Sequence, residues 1–184
     1  MDEIYISFIT SIKICGGYSD FGHRIRLYIE NITGGCKKFN ISFEILVGED
    51  VDSKNEVYLS DILTKEFLEE HNTKIIQTQQ SSYKNLFNHN MLEAPNKNAC
   101  MYKSKGKFLC ITNADILMND VFFNNIRALK ENHFYRFLTY EVAVLDCPLE
   151  TAKLDYVLKF CEQNILRCYN EQLHNPRNIF DISY

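Results

Sequence analysis

The chain predicts an α/β fold: a three-layer sandwich with a mostly parallel central sheet, in a single domain spanning residues 1–184. Three observations carry this. Short apolar runs at residues 4–12, 43–47 and 108–111 read as strands, the last two buried on both faces. Between them lie segments whose apolar residues recur at three and four, the period of a helix. No internal repeat, low-complexity tract or proline-rich linker divides the alternation.

Composition narrows the class. Apolar residues make up 46% and charged residues 24%, a globular balance. A formal net charge of −4 offers no electrostatic footprint for nucleic acid. No apolar run reaches membrane-spanning length, and the acidic start MDEIYISF is unlike the basic start of a signal peptide. The seven cysteines include no C-x-x-C pair, which indicates neither a zinc site nor a disulfide framework. Cys110 in mid-strand and Cys15 near a strand end read as reduced thiols in a cytoplasmic protein.

In order, Ile4, Ile6, Phe8, Ile9 and Ile12 give the first strand, central and parallel because a helical pattern follows it. In that helix, residues 24–32, Ile25, Tyr28, Ile29 and Ile32 share one face, and Gly34-Gly35 is expected to end it. Gly16 and Gly17 lie in the connection without G-x-G-x-x-G, which argues against a Rossmann dinucleotide fold. Residues 43–47 form the second strand and run into Gly48-Glu49-Asp50. Residues 58–70 read as one amphipathic helix, 74–78 as a third strand and 79–90 as a polar loop. A short helix over 98–105 ends at Gly106, and the strand over 108–111 follows. Val121, Phe122, Ile126 and Leu129 mark another helix, and alternation across 133–142 a strand or strand pair. Leu154, Val157, Leu158, Cys161, Ile165 and Leu166 define the longest helix, residues 151–169.

The strand over 108–111 runs into Thr112, Asn113 and Asp115, three oxygen-bearing side chains where the backbone leaves the sheet. Ligands of open α/β sheets bind outside the carboxyl ends of the strands. A carboxylate beside an amide there suits a hard divalent cation and the phosphates it carries. Asp is also a favoured N-cap, so Asp115 has a second reading as the cap of a helix beginning near Ile116. At the end of the second strand, Asp50, ahead of Glu49, has the chemistry to accept from ribose hydroxyls or a base N–H. The alternative there is a solvated acidic loop that includes Asp52 and Glu56.

Lys97, Asn98, Cys100, Ser104 and Gly106, then a buried strand, then Asn113-Ala114-Asp115 together resemble the family-2-type glycosyltransferases of the GT-A fold. Members commonly read Arg-Asn-x-Gly, three residues, Ala-x-Gly, an apolar strand and Asp-x-Asp or Asn-x-Asp. Here Lys97 stands for the arginine and Cys100 for the glycine. A later segment of such proteins is echoed by Tyr135 and Arg136, with Thr139 in place of a second arginine and Glu141 in place of an aspartate. The tail residues His174, Asn175 and Asp181 loosely echo a His-x-Asn run followed by Gly-Asp-Phe.

The resemblance implies transfer of a sugar from a nucleoside-diphosphate donor to a sugar or glycan acceptor, inverting and assisted by Mg²⁺ or Mn²⁺. It implies Asp115 as the metal ligand, with Asn113 on the metal or a bound water. Lys97 would lie on a phosphate beside Asn98, and Thr10 and Asp50 on the nucleoside. Asp181 is the implied general base, with Asp146, Glu141 and Asp155 as alternatives. Two other classes remain open. One is a non-catalytic remnant that binds the nucleotide sugar; the other is a nucleotidyltransferase, for which no glycine-rich basic signature follows the first strand.

Overall fold

The computed structural model describes residues 3–14, 21–51, 57–79, 93–137, 139–142, 152–169 and 179–182. Cys15, Gly16, Gly17, Asp52, Glu56, most of the expected polar loop, Asp146, His174 and Asn175 lie outside the described residues. The first half runs β1 (Ile6–Ile12), α1 (Phe21–Lys38), β2 (Phe43–Val51), α2 (Leu59–Ile62), α3 (Lys65–Glu70) and β3 (Thr73–Gln79). The second half runs α4 (Glu93–Lys103), β4 (Phe108–Ile111), α5 (Asp120–Ile126), β5 (Phe134–Phe137), β6 (Thr139–Val142), α6 (Leu154–Gln163), β7 (Ile165–Tyr169) and β8 (Ile179–Ile182).

The central sheet has four strands, all parallel, in the order β3-β2-β1-β4. Side chains alternate along a strand, so β1 feeds two cores. Ile6, Phe8 and Ile12 pack with Ile25, Tyr28, Ile29 and Ile32 of α1 and with Phe122, Phe123 and Ile126 of α5. Ile9 points the other way and packs with Leu46 and with Cys100 of α4. Helices therefore flank both faces of the sheet, an arrangement compatible with a three-layer sandwich. Chain order moves from β1 out to β3, then α4 crosses back over β3, β2 and β1 to deliver β4 on the far side of β1. The strand order reverses between β1 and β4, the topological switch point at which open α/β sheets form a crevice.

Several expectations are corrected. α1 continues through Gly34-Gly35 to Lys38. A Cβ on Gly35 would lie 2.2 Å from the Phe123 ring, so that glycine admits α5 onto α1 and is not a stop. The stop comes instead just past Lys38, where Asn40 takes φ 54°. There Ile41 N donates to Cys36 O (2.9 Å) and Asn40 N to Lys37 O (3.3 Å), the paired bonds of a Schellman motif. The helix expected over 58–70 is broken in two, because the Thr64 hydroxyl accepts from Phe67 N at 3.2 Å and starts α3 afresh. The helix before Gly106 starts earlier than expected, at Glu93, and so includes Lys97.

β4 is not buried on both faces. Cys110 faces the α1 core at 7% exposure, while Leu109 (45%) and Ile111 (52%) are open on the other side. α4 packs chiefly over β1, β2 and β3. The long helix expected over 151–169 stops at Gln163, and residues 165–169 form β7. Asn164 closes the helix, its Nδ2 donating to Phe160 O at 2.8 Å. The next residues pair antiparallel with β6, a non-local partner that a local apolar period does not reveal. β5 pairs separately with β8, also antiparallel. No helix among the described residues is long and apolar enough to cross a membrane.

Candidate functional site

α4 runs from the carboxyl end of the sheet towards its amino end, and its close seat on β2 is set by Gly48. A Cβ there would lie 2.8 Å from the backbone oxygen of Asn96. Close approach on this face therefore falls to Gly48, while Cys100 fills the space beneath the helix with a fully buried thiol. Burial pushes that thiol up to about 12, and it does the same to Cys110 and Cys36. None of the three is a thiolate nucleophile near neutral pH.

The first turns of α4 are thereby held over the carboxyl ends of β2 and β3. The Asn96 side-chain oxygen accepts from the Thr78 hydroxyl, and its Nδ2 is buried with no partner among the described residues. One residue on, the Lys97 ammonium donates to Glu93 and, at 2.9 Å, to Oδ1 of Asn113 beyond β4. Two residues that the sequence pairs only by motif are thus joined across the sheet edge. Asn98, on the exposed side of α4, makes no side-chain hydrogen bond among the described residues.

The loop after β4 is anchored at three points. Thr112 N donates to Ile9 O at 2.9 Å, extending the ladder. Ala114 is 5% exposed and tucked into the α1 core, which leaves its neighbours Asn113 and Asp115 facing solvent. The buried Asn31 amide of α1 then clamps Met118. Its Nδ2 donates to Met118 O at 2.9 Å and its Oδ1 accepts from Met118 N at 2.7 Å. The capping reading of Asp115 is excluded. The next helix starts at Asp120 and is capped by Asn119, whose Oδ1 accepts from Phe122 N at 3.1 Å. The Asp115 carboxylate makes no hydrogen bond or ion pair among the described residues, so it is available to a ligand.

Asp50 and Thr10, both fully buried, part company. Thr10 shares the α1 face with Phe8 and Ile12, whereas Asp50 shares the α4 face with Leu46 and lies 4.0 Å from Lys13 Nζ. The β1 residue on Asp50's face is Ser11, 8% exposed, its hydroxyl without a partner among the described residues. Glu49 is structural: it accepts from Leu59 N at 2.5 Å and Gln77 Nε2 at 3.0 Å, tying α2 to the sheet.

A cleft of ≈ 1870 Å³ opens beside Asn113 and Asp115, walled by β4, by Tyr135 and Arg136 of β5, and by Val157 of α6. Position 181, in β8, pairs with Tyr135 of that wall, which brings the tail's backbone to the cleft; the Asp181 side chain lies outside the described residues. Glu141 is in β6, opposite Arg167, and Asp155 is exposed in the first turn of α6.

Among the described residues no group of three His, Cys, Asp or Glu side chains is placed to hold a metal. The donor set at the β4 loop is one free carboxylate and one amide oxygen. That fits an ion bound jointly with substrate phosphates, as Mg²⁺ commonly is, and not a cage built from protein alone.

Sequence reasoning missed Asn31, Ser11 and the burial of Asn96. Their signals are weak: a polar residue within a helical apolar pattern, and a strand residue whose face depends on register. No protein-family model matches this chain, and no curated protein matches it in sequence.

Proposed function

We propose that the protein is a glycosyltransferase of the GT-A type, moving a sugar from a nucleoside-diphosphate donor to a sugar or glycan acceptor. The observation that carries this reading is the anchored loop at the switch point, which presents Asn113 to the Lys97 ammonium and, two residues on, an exposed Asp115 with no partner among the described residues. Diphosphate transfer needs charge offset on the leaving group, and these residues supply an ammonium and the ligands for a hard cation. When bound, Mg²⁺ or Mn²⁺ would be held by Asp115, with Asn113 on the ion or its water, and would act as a Lewis acid on the diphosphate. Asp50 and Ser11, on one face, are better placed for the nucleoside than Asp50 and Thr10. The acceptor would enter the cleft, which exceeds the roughly 300–1,000 Å³ of an ordinary small-ligand pocket. Asp181 would serve as its general base in an inverting reaction. The buried thiols of Cys36, Cys100 and Cys110 fit a cytoplasmic setting.

Calorimetric titration of uridine diphosphate, with and without Mn²⁺, tests the reading. Binding is expected to depend on Mn²⁺ in the wild type and to lose that dependence in Asp115→Ala. Stability should change by less than about 0.5 kcal/mol, since the exposed side chain caps nothing. Metal-independent binding, equal in both proteins, would discard the ligand role.

A further inference from the structure

We propose that the Lys97 ammonium and the divalent ion compete for one atom, Oδ1 of Asn113, so that a diphosphate opens the metal site by drawing Lys97 away. This rests on the metal-assisted reading above. Lys97 Nζ lies 2.9 Å from that oxygen. Its other partner is the carboxylate of Glu93, one turn back on α4. A hard cation on the same oxygen would stand within roughly 5 Å of the ammonium, where like charges repel strongly. The ammonium offers three donors on a flexible stem, so it can leave a neutral amide for a phosphate, the stronger charge-assisted partner. Asn113 is then free for the ion, and Asp115 two residues on completes the pair. Diphosphate and metal therefore bind with positive coupling, and by linkage each tightens the other equally. An incoming metal without diphosphate meets a site already occupied by a positive charge.

The experiment measures the Kd of Mn²⁺ alone by calorimetry in the wild type, Lys97→Met, Asn113→Ala and the double variant. Inorganic pyrophosphate is titrated in parallel without metal. Lys97→Met is expected to tighten Mn²⁺ roughly tenfold, the scale of one charge-assisted bond removed from competition, and to weaken pyrophosphate. The tightening is expected to vanish in the Asn113→Ala background, because the contested oxygen is gone. Tightening that persists undiminished there would be a long-range charge effect and would overturn the proposal. So would Mn²⁺ affinity that is unchanged or weaker in Lys97→Met. Mn²⁺ binding in neither the wild type nor Lys97→Met overturns the proposal, while the metal reading is decided separately by the uridine diphosphate titration with and without Mn²⁺. Mn²⁺ binding that ignores Asp115→Ala removes the metal reading at Asp115 alone, and the Lys97–Asn113 cycle still decides the competition. Lys97→Gln provides a second neutral variant should Lys97→Met not fold.

Discussion

At the amino end of the parallel sheet, Ser7, Glu44 and Thr73 are buried and bonded; at the carboxyl end, Thr10 and Ser11 are buried with hydroxyls that find no partner among the described residues. The two ends share strands and solvent exclusion, so the difference lies in what meets them. Glu44, with no exposed surface, accepts from the Ser7 hydroxyl at 2.8 Å, from Lys105 N at 2.6 Å and from Lys74 Nζ at 3.1 Å. Ser7 in turn accepts from Gly106 N at 2.8 Å. A Cβ on Gly106 would lie 2.4 Å from Ser7 N, so only glycine lets this turn close onto β1. One buried carboxylate thus ties β1, β2, β3 and the α4–β4 turn together. Interiors normally pair their polar groups, so an end where Thr10, Ser11 and Asn96 Nδ2 find no partner among the described residues calls for a reason. The ligand proposed for the carboxyl crevice would supply one for Ser11 and Asn96, which lie on the α4 side.

The largest effect that would break this contrast is expected from Glu44→Ala. It strips the shared acceptor from a serine, a backbone amide and a lysine, and should cost about 3–5 kcal/mol of stability in urea unfolding. Burial alone would raise the Glu44 carboxyl. The bonds from Lys105 N, Ser7 and Lys74, with the Lys74 charge, outweigh it and hold the carboxyl below its ordinary value of 4.5. A depressed folded-state pKa stabilises above the unfolded value, and that contribution is lost as pH falls through the folded one. The wild type should therefore lose stability below about pH 4.5, and Glu44→Ala should lose less over the same range. Equal acid sensitivity in both proteins would remove Glu44 as the anchor.

The next effect in size is expected at the carboxyl end, where polar bonding is used to aim a loop. Asn31→Ala leaves both backbone groups of Met118 without their partner and should cost about 2–3 kcal/mol. Amide exchange over residues 112–118 should speed up more than exchange in β1 and β2. Uniform speeding across the sheet would mean that Asn31 supports the core in general and not this loop.

The smallest effect sharpens the comparison most. Ser7→Ala removes a bonded hydroxyl and should destabilise by about 1–2 kcal/mol, whereas Thr10→Val removes a buried hydroxyl that bonds to nothing described and should be neutral or slightly stabilising. Paired thermal unfolding of the two variants checks this. A comparable loss from Thr10→Val would show that its hydroxyl has a structural partner after all.

The sequence by itself determined the parallel α/β class, the approximate strands and helices from residue 6 to residue 126, and the place where the chain leaves β4 with Asn113 and Asp115. These follow from local periodicity and from turn chemistry, both of which reside in a few neighbouring residues. The tertiary structure alone decided the rest. Gly35 reads locally as a helix stop, and only the Phe123 ring lying on it shows why the helix continues. Residues 165–169 carry a helical period and become a strand because β6 offers them a ladder. Thr10 and Asp50 both end strands, but register and the pleat turn them to opposite faces. Lys97 meets Asn113, and Asn31 meets Met118 across 87 residues, because parallel strands joined by crossing helices bring distant segments together. Side-chain pairing at that range depends on how elements stack, and no stretch of the chain encodes it alone.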